Sequence, residues 1–294
     1  MIDAVKSAAM LLVLSLPNTA SISLVAAEVP VVRGLWVWKT ATVLATPDDV
    51  ESLRRFCAER KVNEVYLSLP GQDGLSDVQL ADVIARLHAS KLRVEALFGS
   101  TDADLPGRPR EQLLNRVRSV VEFNQRHPAE SFDGVHLDVE PHQRPENKGT
   151  GNLRFLANLA ETFRSVRAIV EPAGLSLNVD IPNKVLKGNL EQRRLLVTSV
   201  PRFTLMLYEL NSPNDGATTA QKVEKLRTMS EKYLRMAYEG LNDAGLATMG
   251  IGLRVSDYGE RLPEMLASLE EAHADNPRFV GWAWHCYNDH VRSR

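Results

Sequence analysis

Short apolar runs recur along the chain, and each is followed by a longer stretch in which apolar residues return every three or four positions. The runs RGLWVW (33–38), NEVYLSLP (63–70), LRVEALFG (92–99), FDGVHLDVEP (132–141), LSLNVDIP (175–182), RFTLMLYEL (202–210), ATMGIGLRV (247–255) and FVGWAWHC (279–286) have the β-branched and aromatic content of strands. Between them the spacing predicts helices. One opens at Thr46-Pro47, an N-cap and a first-turn proline, and runs through Cys57. Others cover 76–90, 110–126, 152–169, 190–197, 219–241 and 262–274, and the stretch 219–245 is long enough for one helix or a broken pair. Strand–helix alternation implies parallel strands joined by right-handed crossovers. Eight such units predict an α/β fold of the (β/α)8 TIM-barrel type, in one domain over residues 28–294; this fold usually takes about 250 residues. An open doubly wound sheet would carry a glycine-rich turn after its first strand, where this chain has Trp36, Val37, Trp38 and Lys39.

Residues 1–27 are set apart. Lys6 precedes the apolar stretch SAAMLLVLSL, and Val25-Ala26-Ala27 supplies small side chains for cleavage, the pattern of an export signal. That stretch is shorter than the about 20 apolar residues a membrane span needs, and no later segment reaches that length. The expectation is a secreted or periplasmic protein, free of the membrane once the signal is removed.

Composition narrows the classes. The chain has 294 residues, 44% of them hydrophobic, and a net charge of −2 from 35 basic and 37 acidic side chains. Such a balance excludes a disordered chain and argues against a nucleic-acid surface. Two cysteines, Cys57 and Cys286, are too few for a disulfide framework or a zinc–cysteine cluster. A bond between the two is disfavoured, because Cys57 lies about 15 Å down the first helix at 1.5 Å per residue.

In a barrel of this kind chemistry sits where the strands end, on the face built by the βα loops. FDGVHLDVEP is the most informative strand. Alternation puts Gly134, His136, Asp138 and Glu140 on one face and Val135, Leu137 and Val139 on the other. The apolar set belongs under the helices, so the polar set faces the barrel interior. Two acids two residues apart at the open end raise each other's pKa, which keeps a carboxyl protonated for general-acid work. Structural pairing of these acids with barrel arginines is the competing explanation. A metal shared by His136 and His142 is excluded by reach, since at about 3.3 Å per residue they stand ~20 Å apart along an extended strand.

These residues resemble the signature of glycoside hydrolase family 18, DG-x-D-x-D-x-E on the fourth strand, with Asp133, Gly134, Asp138 and Glu140 in register. Met206-Leu207-Tyr208-Glu209 resembles the family's M-x-Y-D on the sixth strand, with Glu for Asp. GWAWHCYND on the last strand is a looser match, its Trp284 one place out of register. The resemblance implies retaining hydrolysis of an N-acetylglucosamine-containing glycan assisted by the substrate's own acetamide. Glu140 would be the general acid, Asp138 would orient the acetamide, Tyr208 would bind its carbonyl, and Trp284 or Trp282 would floor the sugar. No cofactor or metal is implied. Trp38, Trp284, His136, Asp180, Glu209 and Arg254 are the candidate substrate-binding residues, with packing, a barrel-top network and a counter-ion to Glu209 as the other roles open to Trp38, Asp180 and Arg254. His136 departs from the family, which has an Asp there; a histidine can carry positive charge and lower the Asp138 pKa.

The seventh strand ends in Arg254 rather than the second carboxylate of an ordinary retaining barrel, leaving a substrate-assisted enzyme, an inverting one with a base such as Asp180, or an inactive barrel. A non-catalytic glycan-binding barrel and a muramidase-like barrel of glycoside hydrolase family 25 are the alternatives. The latter wants an Asp at the end of the first strand, where this chain has tryptophan and lysine.

Overall fold

The structure is a computed structural model that describes residues 31–69, 74–148, 153–208, 210, 215–242 and 245–292. The expected export signal and Glu209 lie outside the described residues. Residues 31–292 form one barrel of eight parallel strands closed in sequence order: β1 (Val32–Val37), β2 (Glu64–Ser68), β3 (Arg93–Ser100), β4 (Gly134–Val139), β5 (Ser176–Pro182), β6 (Arg202–Met206), β7 (Thr248–Arg254) and β8 (Phe279–His285). β8 pairs with β1 to complete the ring. A helix follows each strand: α1 (Pro47–Arg60), α2 (Asp77–Ala89), α3 (Arg108–Arg126), α4 (Leu156–Val170), α5 (Leu190–Val197), α6 (Thr219–Tyr238), α7 (Leu262–Ala272) and α8 (Tyr287–Arg292).

Local chemistry sets the helix starts. Thr46 caps α1 in a reciprocal capping box with Asp49, and Pro47 occupies the first turn. Ser76 with Gln79, Asn189 with Gln192 and Thr218 with Gln221 do the same for α2, α5 and α6. The region 219–245 forms a single helix ending at Tyr238, not a broken pair. α8 has no counterpart in the sequence expectations; six residues are too few for a helical period to show.

The strands divide the molecule into two apolar compartments. Outward residues such as Val135, Leu137 and Val139 pack beneath the helices in the main core. Inside the barrel a smaller cluster holds Trp36, Tyr66, Leu97, Ala283 and Cys286, with Trp38 against it. These large inner side chains fit because facing strands offer glycine. A Cβ on Gly34 would meet the Tyr66 hydroxyl at 2.2 Å, and one on Gly252 would meet Trp36 Cη2 at 2.8 Å.

The sequence expectation for β8 is corrected here. Trp282 and Trp284 point outward: Trp282 Nε1 donates to Glu270 of α7 at 2.5 Å, and Trp284 packs edge-on against Phe56 of α1 with centroids 5.5 Å apart. Neither floors the barrel mouth. The inward residues of β8 are Gly281, Ala283 and His285, and the ring of His285 lies 5.6 Å from Trp36 and 5.5 Å from Tyr208.

Candidate active site

The barrel interior is a column of charge. At its closed end Arg202 of β6 donates to Glu64 of β2 at 2.7 Å and to Glu95 of β3 at 2.7 Å. Ser176 Oγ donates to Glu95 at 3.0 Å, and Arg93 donates to Glu64 at 3.3 Å. Burial opposes the charge on Glu95, but Arg202 and His136 outweigh it and hold this carboxyl below the usual range. Burial and the adjacent Glu95 push Glu64 the other way.

His136 stands above this layer with its side chain fully buried. Its ring lies on Tyr66 with centroids 3.8 Å apart. Nδ1 is 2.9 Å from the Asn178 amide and 3.4 Å from Glu95 Oε2. Nε2 is 2.9 Å from Asp180 Oδ2, at ion-pair distance but off the line of a good hydrogen bond. Burial lowers the imidazole pKa, yet Asp180 and Glu95 reverse this and raise it to about 9. The two carboxylates thus favour the imidazolium, in which Nδ1 is a donor and the Asn178 amide presents its oxygen to the ring, and both nitrogens face protein groups. It lies beneath the mouth rather than on its lining.

Asp180 sits beside it on β5. Its Oδ2 also accepts the Trp36 indole N–H at 2.9 Å, while Oδ1 is buried with no hydrogen-bond partner among the described residues. Asp138 is one pleat above His136. Desolvation comes first in raising its carboxyl well above the usual range, followed by the charges of Asp180 and Glu140; His136 lowers it but does not prevail. Asp138 Oδ1 is likewise buried without such a partner. The expectation that a cationic His136 would depress Asp138 holds in sign, but burial and the charges of Asp180 and Glu140 outweigh it.

β4 ends at Val139, and Glu140 is the first residue past it, where its amide donates to Ser100 O at 2.8 Å. The Glu140 side chain is half-buried, and it accepts a hydrogen bond from Gln143 Nε2 and lies 3.4 Å from His142 Nε2. Burial raises its pKa, the Gln143 hydrogen bond and Lys184 oppose the rise, and Asp180 adds to it. Burial, with Lys184, takes the His142 pKa down to about 4, leaving that ring neutral.

Tyr208 enters two residues past β6, and its hydroxyl is buried with no hydrogen-bond partner among the described residues. Burial raises its pKa well above the usual value, reinforced by the charges of Asp180, Asp138 and Glu140. The Arg254 guanidinium lies over the Tyr208 ring at 5.3 Å and donates to Asp257 at 2.8 Å. Trp38 stands at the mouth above β1, fixed by Asn288, which accepts from its amide at 2.8 Å and donates to its carbonyl at 2.6 Å. Its ring covers Gly99, the β3 partner of Asp138.

Asp138, Glu140, Tyr208, Asp180, Trp38 and Arg254 are thus gathered at the open end of the barrel, while His136 lies beneath them and Trp284 outside. Asp133, in register with the resemblance, is at the opposite end. Its Oδ2 accepts from the Val94 amide at 2.7 Å and lies 3.0 Å from His88 Nε2, which locks β3 to β4. His285, which as the last residue of β8 meets the strand-end criterion for a site candidate, is a further inward residue here, at the same parity as the small Gly281 and Ala283.

For metals, His285, Cys286 and Asp289 form a group whose donor atoms lie within 4.8 Å of one another. Burial and Asp289 push the Cys286 thiol up to about 11, so a neutral thiol is what this position holds. Cys57 and Cys286 are both free.

No family model matches the chain, and no curated protein matches it in sequence. Solved structures do match. The spore cortex-lytic enzyme SleL from Bacillus megaterium QM B1551 is 10% identical, with 87% of this chain and 70% of that one aligned at a TM-score of 0.56. A family 18 chitinase from Crocus vernus is 11% identical over 89% and 94% of the two chains, with a TM-score of 0.54. D-psicose 3-epimerase from Clostridium cellulolyticum H10 is 13% identical over 86% and 83%, with a TM-score of 0.50. What is shared is the barrel. At such identities, and with hydrolase and epimerase both among the matches, the function must be argued from the site itself.

Proposed function

We propose that this protein is a glycoside hydrolase acting on an N-acetylglucosamine-containing glycan, with Glu140 as general acid. The observation that carries this reading is the grouping, at the barrel's open end, of two raised carboxyls two residues apart, Asp138 and Glu140, with the buried Tyr208 hydroxyl two residues past β6 at the same end. A half-buried carboxyl raised by desolvation holds its proton more tightly than a free one, the property a general acid needs to protonate a glycosidic oxygen. Asp138 and Tyr208 then meet the 2-acetamido group as it attacks the anomeric carbon, so that no enzyme nucleophile is needed. Trp38 offers an indole face for the sugar ring, the part that Trp284 cannot take from outside the barrel. Arg254 and Asp180 frame the same space and remain candidates for hydroxyl contacts. Two of the matched structures, the chitinase and the spore cortex-lytic enzyme, bear names that agree with a glycan substrate.

The test is a hydrolysis screen over chitin oligomers, peptidoglycan and N-glycans with Glu140→Gln as control. The expected result is turnover of one class by the native protein and its loss, by at least a hundredfold, in the variant. A variant that keeps its rate on the hydrolysed substrate overturns the assignment.

A further inference from the structure

Three different metal-ligating side chains meet where β8 gives way to α8. His285 is the last residue of β8, Cys286 follows it, and Asp289 lies in the first turn of α8. The Asp289 amide reaches back to Cys286 O at 3.3 Å, and this turn folds the carboxyl over the thiol. One donor atom from each of the three residues lies within 4.8 Å of the others. The sulfur is already in a polar setting: the amides of Asn288 and Asp289 donate to it, and its own proton goes to the Asp289 carboxyl. The His285 ring donates to its own backbone carbonyl, which leaves the second ring nitrogen as an acceptor. Asn288, in the same turn, grips the Trp38 backbone at 2.8 and 2.6 Å, so the turn is fastened to the strand beside it.

We propose that His285, Cys286 and Asp289 form a binding site for a divalent cation of the zinc class, held by one imidazole nitrogen, one thiolate and one carboxylate oxygen. The donor set selects the ion. A sulfur ligand favours zinc and its neighbours over magnesium or calcium, which take oxygen donors. A neutral imidazole, a thiolate and a carboxylate together offset the two positive charges. As the ion enters, the thiol proton now shared with Asp289 leaves to solvent, and the two backbone amides stay to stabilise the sulfur's charge. Zinc bonds of about 2.0–2.3 Å in a tetrahedron set donors about 3.3–3.8 Å apart, so closing the group takes a shift of about 1 Å. Asp289 is half-buried on a short terminal helix and can make that shift by side-chain rotation. Three protein ligands leave the fourth position open to water or a bound molecule. The His285 ring lies 5.5 Å from the Tyr208 ring, so the ion would sit in the wall of the barrel mouth. None of the three ligands has a part in the glycan reading, and the metal site does not rest on it.

Titration of the reduced protein with Co2+, a coloured stand-in for zinc, tests the site without substrate. The native protein is expected to bind one ion per chain with a thiolate-to-cobalt charge-transfer band in the near ultraviolet, and added Zn2+ should bleach that band. Cys286→Ser should abolish the band, while Cys57→Ser should keep it. His285→Gln and Asp289→Asn should each raise the Co2+ concentration at half-saturation by roughly tenfold or more, since a direct ligand matters at least as much as an outer partner. These two residues are only partly buried, so their variants carry the test if Cys286→Ser does not fold. Absence of the band in the native protein, its survival in Cys286→Ser, or an unchanged half-saturation in either of the other two variants overturns the proposal. Hydrolysis enters none of these readouts, so the metal site and the glycosidase reading stand or fall separately.

Discussion

At the residue scale, the behaviour of Glu140 is set by a balance of burial against one hydrogen bond. Its carboxyl is raised by desolvation and restrained by Gln143 and Lys184. A general acid must be protonated, so activity holds below its pKa and falls as pH rises through it. Gln143→Leu removes a donor that favours the ionised form. The alkaline limb of kcat/KM should therefore move to higher pH in that variant, and a limb that stays put or moves down contradicts the acid role. Trp38→Ala should raise KM more than it lowers kcat, by about tenfold if one indole stack of ~1.5 kcal/mol is lost, read from steady-state kinetics on the hydrolysed substrate.

Residue identity was readable where chemistry and alternation coincide. His136, Asp138 and Glu140 share parity in one short strand, and that parity survives folding. What one strand cannot show is which groups on other strands meet it. The ion pairing of His136 depends on Glu95 from β3 and Asp180 from β5, residues 41 and 44 positions away, and its downward pull on Asp138, the sign expected from the strand, is outweighed by burial, Asp180 and Glu140.

At the scale of elements, all eight strands and the seven longer helices described between β1 and β8 were legible in the apolar spacing, because each element buries one face on its own period, whereas the four-residue helices Thr40–Val43 and Val255–Tyr258 are too short to show one. β8 shows the limit. FVGWAWH presents two tryptophans at one parity and Gly281, Ala283 and His285 at the other, and aromatic residues suggest a sugar platform. The barrel lumen is already filled by Trp36, Tyr66 and Arg202 from other strands, so β8 must turn its small side chains inward and its indoles toward the helices. The same crowding yields a prediction for β7. Gly252→Ala would set a Cβ 2.8 Å from Trp36 Cη2, and the indole whose N–H binds Asp180 has to move. Overpacking of this kind costs about 1–3 kcal/mol, seen as a lower denaturation midpoint at unchanged denaturant slope. At the helix starts, Thr46→Ala removes the capping box of α1 and should cost about 1 kcal/mol by the same measurement.

At the scale of the whole molecule, the barrel interior makes stability fall with pH on the alkaline side. His136 binds its proton more tightly folded than unfolded, with a pKa raised to about 9 from about 6.5. Its contribution is complete below the unfolded value and is lost as pH rises from about 6.5 through about 9, since the folded state then binds more protons than the unfolded one. Asp138 is also raised in the folded state, so it too weakens the fold as pH climbs above the ordinary carboxylate range. Burial holds the Cys57 thiol at about 12, and any ionisation of that group in the unfolded chain adds a loss of the same sign. Thermal unfolding followed from pH 7.5 to pH 10, above the range where the depressed His142, His273 and His285 act in the opposite sense, should show Tm falling across this interval. His136→Gln removes a titrating element of the column, so its Tm should start lower at pH 7.5 and decline less steeply. A native Tm that is flat or rises between pH 7.5 and 9 would mean that the imidazole is neutral in the folded barrel, and that Arg202 alone is the cation beside Glu95.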